Sequence, residues 1–346
     1  MRRDIVTPVP IVAIDARDAF APQLRGWGRY AKELIAALPE HDGLDFRFLS
    51  GGGPGPEALY EQIRLPVRLR RLGADPVHTP NCFLPLARPC MGVVTIHDLA
   101  FEVFPEDFTG RTGWKYRTFT PRAARSAQRV ICVSGYTASD VVRRYDVDEA
   151  RVRIIPNAPS LPISEAPLPA AEDGPYLLAV GDLRPKKNLL RLVEAFARLR
   201  DEGLEHRLVL AGVDGGEGER VRAAAAGHPV TLTGWLDDAE MDALMRGADA
   251  LVHPSLYEGF GLVLVEAMAR GVPVLAARAT ALPETGGDAC DYFDPLDVGD
   301  MAAAIRRVVG DRAHHAELAR RGVARAGALS WASSAALTVA VYEEML

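Results

Sequence analysis

Short apolar runs alternate with amphipathic stretches along the chain, and that alternation predicts a parallel α/β architecture. In the first half, VPIVAID (9–15), DFRFLS (45–50), GVVTIHD (92–98), RVICVS (129–134) and RVRIIPN (151–157) are the strand candidates. Between the first two lies RYAKELIAALPE (29–40), whose Tyr30, Leu34, Ile35 and Leu38 fall on one helical face. A second series begins after residue 174 with YLLAVGD (176–182), HRLVLAG (206–212), VTLTGW (230–235), ALVHPS (250–255) and VPVLAA (272–277). The helix predicted over 188–203 stops at Gly203, a residue suited to a helix end.

Between the two series, prolines stand at 156, 159, 162, 167, 169 and 175. Proline at that density breaks helices and central strands, so a semi-rigid linker is expected over 159–174. The expected division is a first Rossmann-like domain over 1–158 and a second over 175–329. A capped helix over 330–346 follows, with the first domain as its packing partner. Two doubly wound domains facing each other across a cleft is the expected fold, with ligands at the carboxyl ends of the strands.

Composition narrows the class. The 346 residues are 48% hydrophobic and 25% charged, and mean hydropathy is +0.01. No window reaches the roughly 18 apolar residues that a membrane span needs. The N-terminal MRRDIVTPVPIVAID is punctuated by proline and closed by Asp15, so a first strand is expected there and no signal peptide. Cys82, Cys90, Cys132 and Cys290 are widely spaced and form no C-x-x-C pair. A cytoplasmic protein, or one peripheral on the inner face of the membrane, is expected. Residues 1–160 carry a net +4 and residues 161–346 a net −10. This is less basic than a nucleic-acid binder, so none is expected as a partner.

The richest segment chemically is HPSLYEGFGLVLVEAMARGVPVLAA (253–277). A strand ends at His253-Pro254, a loop carries Glu258-Gly259-Phe260-Gly261, and a helix follows. Its first N–H groups suit an anion or hydroxyl oxygens, and glycine lets a ligand reach the main chain. The helix LVLVEAMA is apolar all round and encloses Glu266, a carboxylate that needs a partner. A ribose or an internal arginine would serve; a satisfied core Glu266 and a solvated Glu258 are the alternatives.

Those two glutamates, seven residues apart around G-F-G, resemble the signature of retaining nucleotide-sugar glycosyltransferases of family four, which have the GT-B fold. RGWGRYAKEL (25–34) resembles the family's glycine loop, and VTIHDLAFEVFPEDF (94–108) its His-Asp segment. VGDLRPKKNLLRLVEAF (180–196) is similar to the donor-phosphate segment in the K-N variant of mannosyltransferase-like members. LPETGGDACDYFDPLD (282–297) and SWASSAALTVAVYEEM (330–345) resemble the closing segments, so the likeness runs from about residue 10 to the end.

The resemblance implies a hexosyltransferase that needs no cofactor beyond its substrate, a GDP- or UDP-linked sugar. No cluster has the His/Asp/Cys spacing of a catalytic metal site and no D-x-D segment stands where metal-dependent transferases place theirs, so metal independence is expected. The K-N variant favours GDP-mannose. Glu258 would contact hydroxyls of the donor sugar, Glu266 the ribose, and the N–H groups of Phe260, Gly261 and Leu262 the donor. Lys187 would neutralise the departing diphosphate, with a solvated lysine as the alternative. Asp182 stands where many members have arginine, which leaves Arg184 or Lys186 to supply a second charge. Ala158 replaces a common glycine after Asn157. His97 would reach the transferred sugar, or else bond a neighbouring backbone group. Gly26 and Gly28 would let the main chain approach the diphosphate or acceptor, and Asp98 lies on the acceptor side. Ser134 reads as a helix N-cap.

The acceptor implied is a glycan, a lipid-linked sugar or a small molecule. Arg64, Arg68, Arg70 and Arg71 form one basic cluster; RTGWKYRTFTPRAAR (111–125) forms another, with Trp114, Tyr116 and Phe119 interleaved. The second reads as a solvated face with a packed stripe or as a surface for an anionic membrane. Two rival functions remain. An inactive nucleotide-sugar-binding relative would share the fold. A nicotinamide oxidoreductase would use Gly26-Trp27-Gly28-Arg29-Tyr30-Ala31, but ten residues separate Asp15 from Gly26, and FLSGGG offers no acid for a ribose.

Overall fold

The computed structural model describes residues 9–21, 24, 26–51, 56–166 and 174–346. Arg25 of the glycine loop and residues 167–173 of the expected linker lie outside the described residues. The chain forms two compact units, each built on a six-stranded parallel sheet covered by helices.

In the first unit the strands run in the order β2 (Asp45–Leu49), β1 (Ile11–Asp15), β3 (Val77–Thr79), β4 (Gly92–Ile96), β5 (Arg129–Cys132) and β6 (Val152–Ile154). The order reverses between β1 and β3. Strand β3 is an addition to the sequence expectation: three residues between Pro76 and Pro80, all fully buried. It is too short to show a period, and its place at the centre of the sheet comes from pairing with β1 and β4.

The helix Gly26–Ala37 buries Tyr30 and Leu34, while Ile35 and Leu38 pack against the core. That core joins Val12, Ile14, Val93 and Ile131 from three strands with Val339, Val341 and Tyr342 from the last helix. The helix Trp331–Glu343 is therefore part of the first unit. Ser134 caps the helix Gly135–Tyr145 by accepting the Thr137 N–H at 3.0 Å.

The second unit has the order β12 (Cys290–Phe293), β11 (Val274–Ala277), β10 (Ala250–His253), β7 (Tyr176–Val180), β8 (Arg207–Ala211) and β9 (Val230–Gly234). Its reversal lies between β7 and β10. Strand β12 is the second addition, set in a segment rich in glycine and aspartate that carries no strand pattern. The apolar helix Leu262–Ala269 buries Leu264, Val265, Glu266, Ala267 and Met268, as its all-round hydrophobicity predicts.

The units divide the chain differently from the sequence expectation in two places. Residues 100–109, expected in the first domain, cluster with the second unit. Arg184 Nη1 donates to the Asp107 carbonyl at 2.6 Å, and Phe104 meets Tyr257 edge-on at 6.3 Å. The proline-rich stretch also belongs to the second unit as far as residue 166, tied down by charge. Arg270, with its side chain wholly buried, donates to Asp242 Oδ1 at 2.8 Å and to the carbonyls of Leu161 and Pro162 at 2.9 Å. Asp242 also accepts the Ser164 N–H at 3.1 Å and Arg246 Nε at 2.8 Å. Proline supplies no N–H, but its carbonyl remains a good acceptor, and a buried guanidinium needs several.

Breaking one partner of a buried, multiply bonded ion pair costs roughly 3–5 kcal/mol. Arg270→Ala is expected to lose that much from the second unit, read locally as faster amide exchange in the helix Leu262–Ala269. An exchange rate equal to that of the parent would show that the docked segment contributes nothing to the unit.

Candidate active site

In the second unit the carboxyl ends of β7 and β10, the two strands at the reversal, bring a lysine, a glutamate and a histidine together. Lys187 Nζ donates to Glu258 Oε1 at 2.6 Å, and His253 Nε2 donates to the same oxygen at 3.2 Å. The lysine reaches that point because nothing obstructs its stem. A side chain at Gly181 would put its Cβ 2.9 Å from Lys187 Cε, and Gly181 has φ +146°. Gly212 is equally restricted, since a Cβ there would lie 2.1 Å from the Gly181 carbonyl oxygen. Two chain segments thus cross with only glycine between them.

The loop after β10 is fixed from outside. The Glu258 N–H donates to Thr280 Oγ1 at 2.9 Å, and Thr285 Oγ1 donates to the Phe260 carbonyl. Asn188 holds the neighbouring turn, donating to the carbonyls of Pro254 at 3.1 Å and Pro295 at 2.7 Å. Gly261 takes φ +91° and begins the helix Leu262–Ala269 with no side-chain cap. Residues Phe260, Gly261 and Leu262 therefore stand where a helix presents its first N–H groups.

Burial pushes the Glu258 carboxyl up, but the Lys187 charge leads a stronger set of opposing effects, with the His253 hydrogen bond and the Lys186 charge behind it. The net result holds the carboxyl well below the usual carboxylate range. Burial lowers His253 despite its bond to Glu258, so the ring is neutral at pH 7. Of the two candidates for a second cation, Lys186 acts electrostatically on this cluster. Arg184 is committed to the Asp107 carbonyl and lies 3.7 Å from Asp182. Glu266, one turn into the helix, accepts Ser160 Oγ at 3.0 Å; Arg270 bonds the Glu266 carbonyl rather than its carboxylate.

The first unit presents a neutral, aromatic group. His97 follows β4 and is stacked on Trp27 at 5.9 Å between centroids, with Tyr30 edge-on at 4.7 Å. Its Nε2 donates to the Pro80 carbonyl at 2.7 Å, which leaves Nδ1 as an acceptor. Burial lowers its basicity, against the Pro80 bond that raises it, so the ring is neutral. Asp98 beside it is half-buried. Behind His97 runs a buried chain: Tyr30 Oη to Thr95 Oγ1 at 3.3 Å, Thr95 to His78 Nε2 at 2.8 Å, and His78 Nδ1 to Tyr342 Oη at 2.6 Å. The two glycines of the loop differ. Gly28 is packed, with a Cβ there 2.7 Å from the Asp18 carbonyl, whereas Gly26 borders open space.

Sequence reasoning missed His253, Asn188 and Trp27 as parts of these groups. His253 had a signal, a polar residue at the end of a buried strand, as His97 does. Trp27 lay between the two glycines that drew attention. The ties of Asn188 are to carbonyls 66 and 107 residues away, which no local pattern marks.

Comparison with known proteins agrees with this architecture. The family described as Glycosyl transferases group 1 matches residues 162–325, and Glycosyltransferase Family 4 matches residues 38–159. The O-antigen chain mannosyltransferase B of Escherichia coli is 30% identical over 283 residues, 77% of this chain and 73% of that protein. The MMP alpha-(1->4)-mannosyltransferase of Mycolicibacterium hassiacum is 33% identical over 319 residues, 86% of this chain and 77% of its own. The sucrose-phosphate synthase structure from Thermosynechococcus elongatus superposes with a TM-score of 0.73 at 23% identity, covering 97% of this chain and 99% of that one, a likeness of fold. The chain belongs to the family-four glycosyltransferases, which have the GT-B fold. The oxidoreductase alternative is thereby set aside.

The depressed Glu258 carboxyl has a consequence for stability. Its contribution is complete above the ordinary carboxyl value of 4.5 and is lost as pH falls from there toward the lower folded value. Lys187→Met removes the charge that depresses it. The stability difference between parent and variant is therefore expected to shrink on acidification below about pH 4.5. Urea unfolding at a series of pH values measures it, and parallel pH curves would contradict the pair.

Proposed function

We propose that this glycosyltransferase moves a mannosyl residue from a nucleoside-diphosphate sugar, GDP-linked in preference to UDP-linked, to a glycan, lipid-linked or small-molecule acceptor. The anomeric configuration is retained and no metal ion is required. The observation that carries the reading is the Lys187–Glu258–His253 cluster beside an uncapped helix N-terminus at the sheet reversal. The names of the two mannosyltransferase relatives support the choice of sugar.

In this reading the bond between the anomeric carbon and the diphosphate oxygen breaks, and the acceptor oxygen bonds to the same face of that carbon. The acceptor proton passes to the departing phosphate. Lys187 meets the charge that develops on the diphosphate, with Lys186 adding to the local positive potential. Glu258, ionised at neutral pH, accepts hydrogen bonds from sugar hydroxyls. The N–H groups of Phe260, Gly261 and Leu262 face the donor, and Glu266 accepts from the ribose hydroxyls in place of Ser160. His97, neutral with Nδ1 open as an acceptor, takes a hydroxyl of the transferred sugar. An inactive binding relative would retain the nucleotide contacts without turnover.

Calorimetric titration with GDP, UDP, ADP and NAD⁺ in the presence of EDTA tests the donor side. Saturable binding of GDP is expected. Glu266→Ala should weaken it about ten-fold or more, the loss of hydrogen bonds to a charged acceptor. Glu258→Ala should slow transfer by about 100-fold, with a smaller effect on GDP affinity. Product anomeric configuration by NMR decides retention. Turnover unchanged in both variants would sink these assignments, and binding that requires added divalent metal would overturn metal independence.

A further inference from the structure

Residues 57–72 of the first unit form one helical stretch: Glu57–Leu59, a π turn over Tyr60–Arg64, and Leu65–Leu72. One side is core, with Tyr60, Leu65 and Leu69 buried. The other side is apolar as well. Leu59, Ile63 and Val67, four residues apart, are 37%, 58% and 42% exposed. The wider turn takes up an extra residue, so the outward stripe and the inward stripe both stay in line across it. A solvated helix face would carry polar residues at those positions.

Trp114 extends the surface. It is 59% exposed and comes from the first turns of the helix Gly110–Ser126. Together with Arg111 and Lys115 it lines a shallow pocket of about 360 Å³, whose other wall is Pro56, Glu57 and Ala58. The N-terminal end of the stripe and the tryptophan therefore belong to one continuous face.

The charge around this face is one-sided. Residues 57–72 hold four arginines and residues 110–126 five cations, against Glu57 and Glu61 alone. Both acids are paired with Lys115, at 2.8 and 3.1 Å, and Glu61 also with Arg17 at 3.3 Å. Arg70 and Arg71 are exposed at the end of the stripe, and Arg111 beside Trp114. A polyanion such as nucleic acid would satisfy the arginines but leave Leu59, Ile63 and Val67 in water. A surface that is anionic outside and hydrocarbon beneath satisfies both, and an interfacial tryptophan is at home there.

We propose that the face formed by Leu59, Ile63, Val67 and Trp114 with Arg70, Arg71 and Arg111 docks the protein on the surface of an anionic lipid bilayer. The stripe enters the headgroup boundary and the arginines meet lipid phosphates. The inference is independent of the donor chemistry proposed above.

Sedimentation of the 346-residue chain with vesicles tests it. Binding is expected to vesicles of phosphatidylcholine mixed with phosphatidylglycerol, falling as salt is raised, and not to phosphatidylcholine alone. Ile63→Asp with Val67→Asp should lower partitioning by about ten-fold or more without changing the thermal melt. Arg70→Glu with Arg71→Glu, which leaves the stripe intact, should lower it by a similar factor of about ten. GDP titration of the same samples keeps failure of this surface distinguishable from failure of the donor site. Three outcomes would each overturn the proposal: vesicle binding that both double variants retain, a lipid-free dimer that Ile63→Asp with Val67→Asp dissolves, or binding to duplex DNA with none to vesicles.

Discussion

A parallel sheet whose strand order reverses has one place where the loops leaving two neighbouring strands run to opposite sides, and most of the chemistry here depends on that place. In the second unit it lies between β7 and β10. The loop from β7 carries Lys187 and the loop from β10 carries Glu258, so residues 71 positions apart become an ion pair by topology alone. Two glycines, Gly181 and Gly212, then decide whether the crossing can be made. Each has backbone or the lysine stem where its Cβ would be. The charged pair, the loop pinned by Thr280 and Thr285, and the helix opening at Gly261 all follow from this one geometric fact.

The two units use opposite electrostatic strategies. The second concentrates charge: Glu258 stays ionised although largely buried because Lys187 is within 2.6 Å, and Arg270 and Asp242 anchor a proline-rich stretch from the inside. The first keeps its candidate group neutral. His97 is stacked on Trp27 with Tyr30 edge-on, spends one nitrogen on the Pro80 carbonyl, and loses basicity to burial. An ionised carboxylate and a neutral imidazole nitrogen are both hydrogen-bond acceptors, so each unit reaches the same capacity by a different route. The uneven charge of the two halves has a local counterpart in the first unit, where the basic residues gather on residues 57–72 and 110–126.

Much of the fold was legible because buried parallel strands announce themselves as apolar runs. Ten of the strands lie on such runs; β3 and β12 do not. The first has only three residues between prolines, and the second starts in a glycine-rich stretch, so each is made a strand by its neighbours. The helix around Glu266 was readable from its uniform hydrophobicity, and the strand end before Glu258 from His253-Pro254. The prolines at 156, 159 and 162 correctly exclude regular structure from the described residues around them, but the reading of a linker does not show that the stretch up to residue 166 is tied to the second unit. Arg270 lies more than a hundred residues later, and nothing local marks it as the partner of Leu161 and Pro162. The outward stripe of Leu59, Ile63 and Val67 is regular in spacing, yet the run EALYEQIRLPVRLRRL has apolar residues on two sides. Only burial shows which side faces out.

The helix Trp331–Glu343 has a consequence for biosynthesis. Tyr342 closes the hydrogen-bonded chain through His78 and Thr95, and with Val339 and Val341 it fills a core whose other members come from residues 12 to 155. The first unit thus lacks part of its interior until the helix Trp331–Glu343 has left the ribosome. The second unit, complete by Ser330, has all its strands earlier. Order of synthesis and order of completion are reversed between the two units: the one whose strands are made first is finished second, and those early strands must wait through the making of the other.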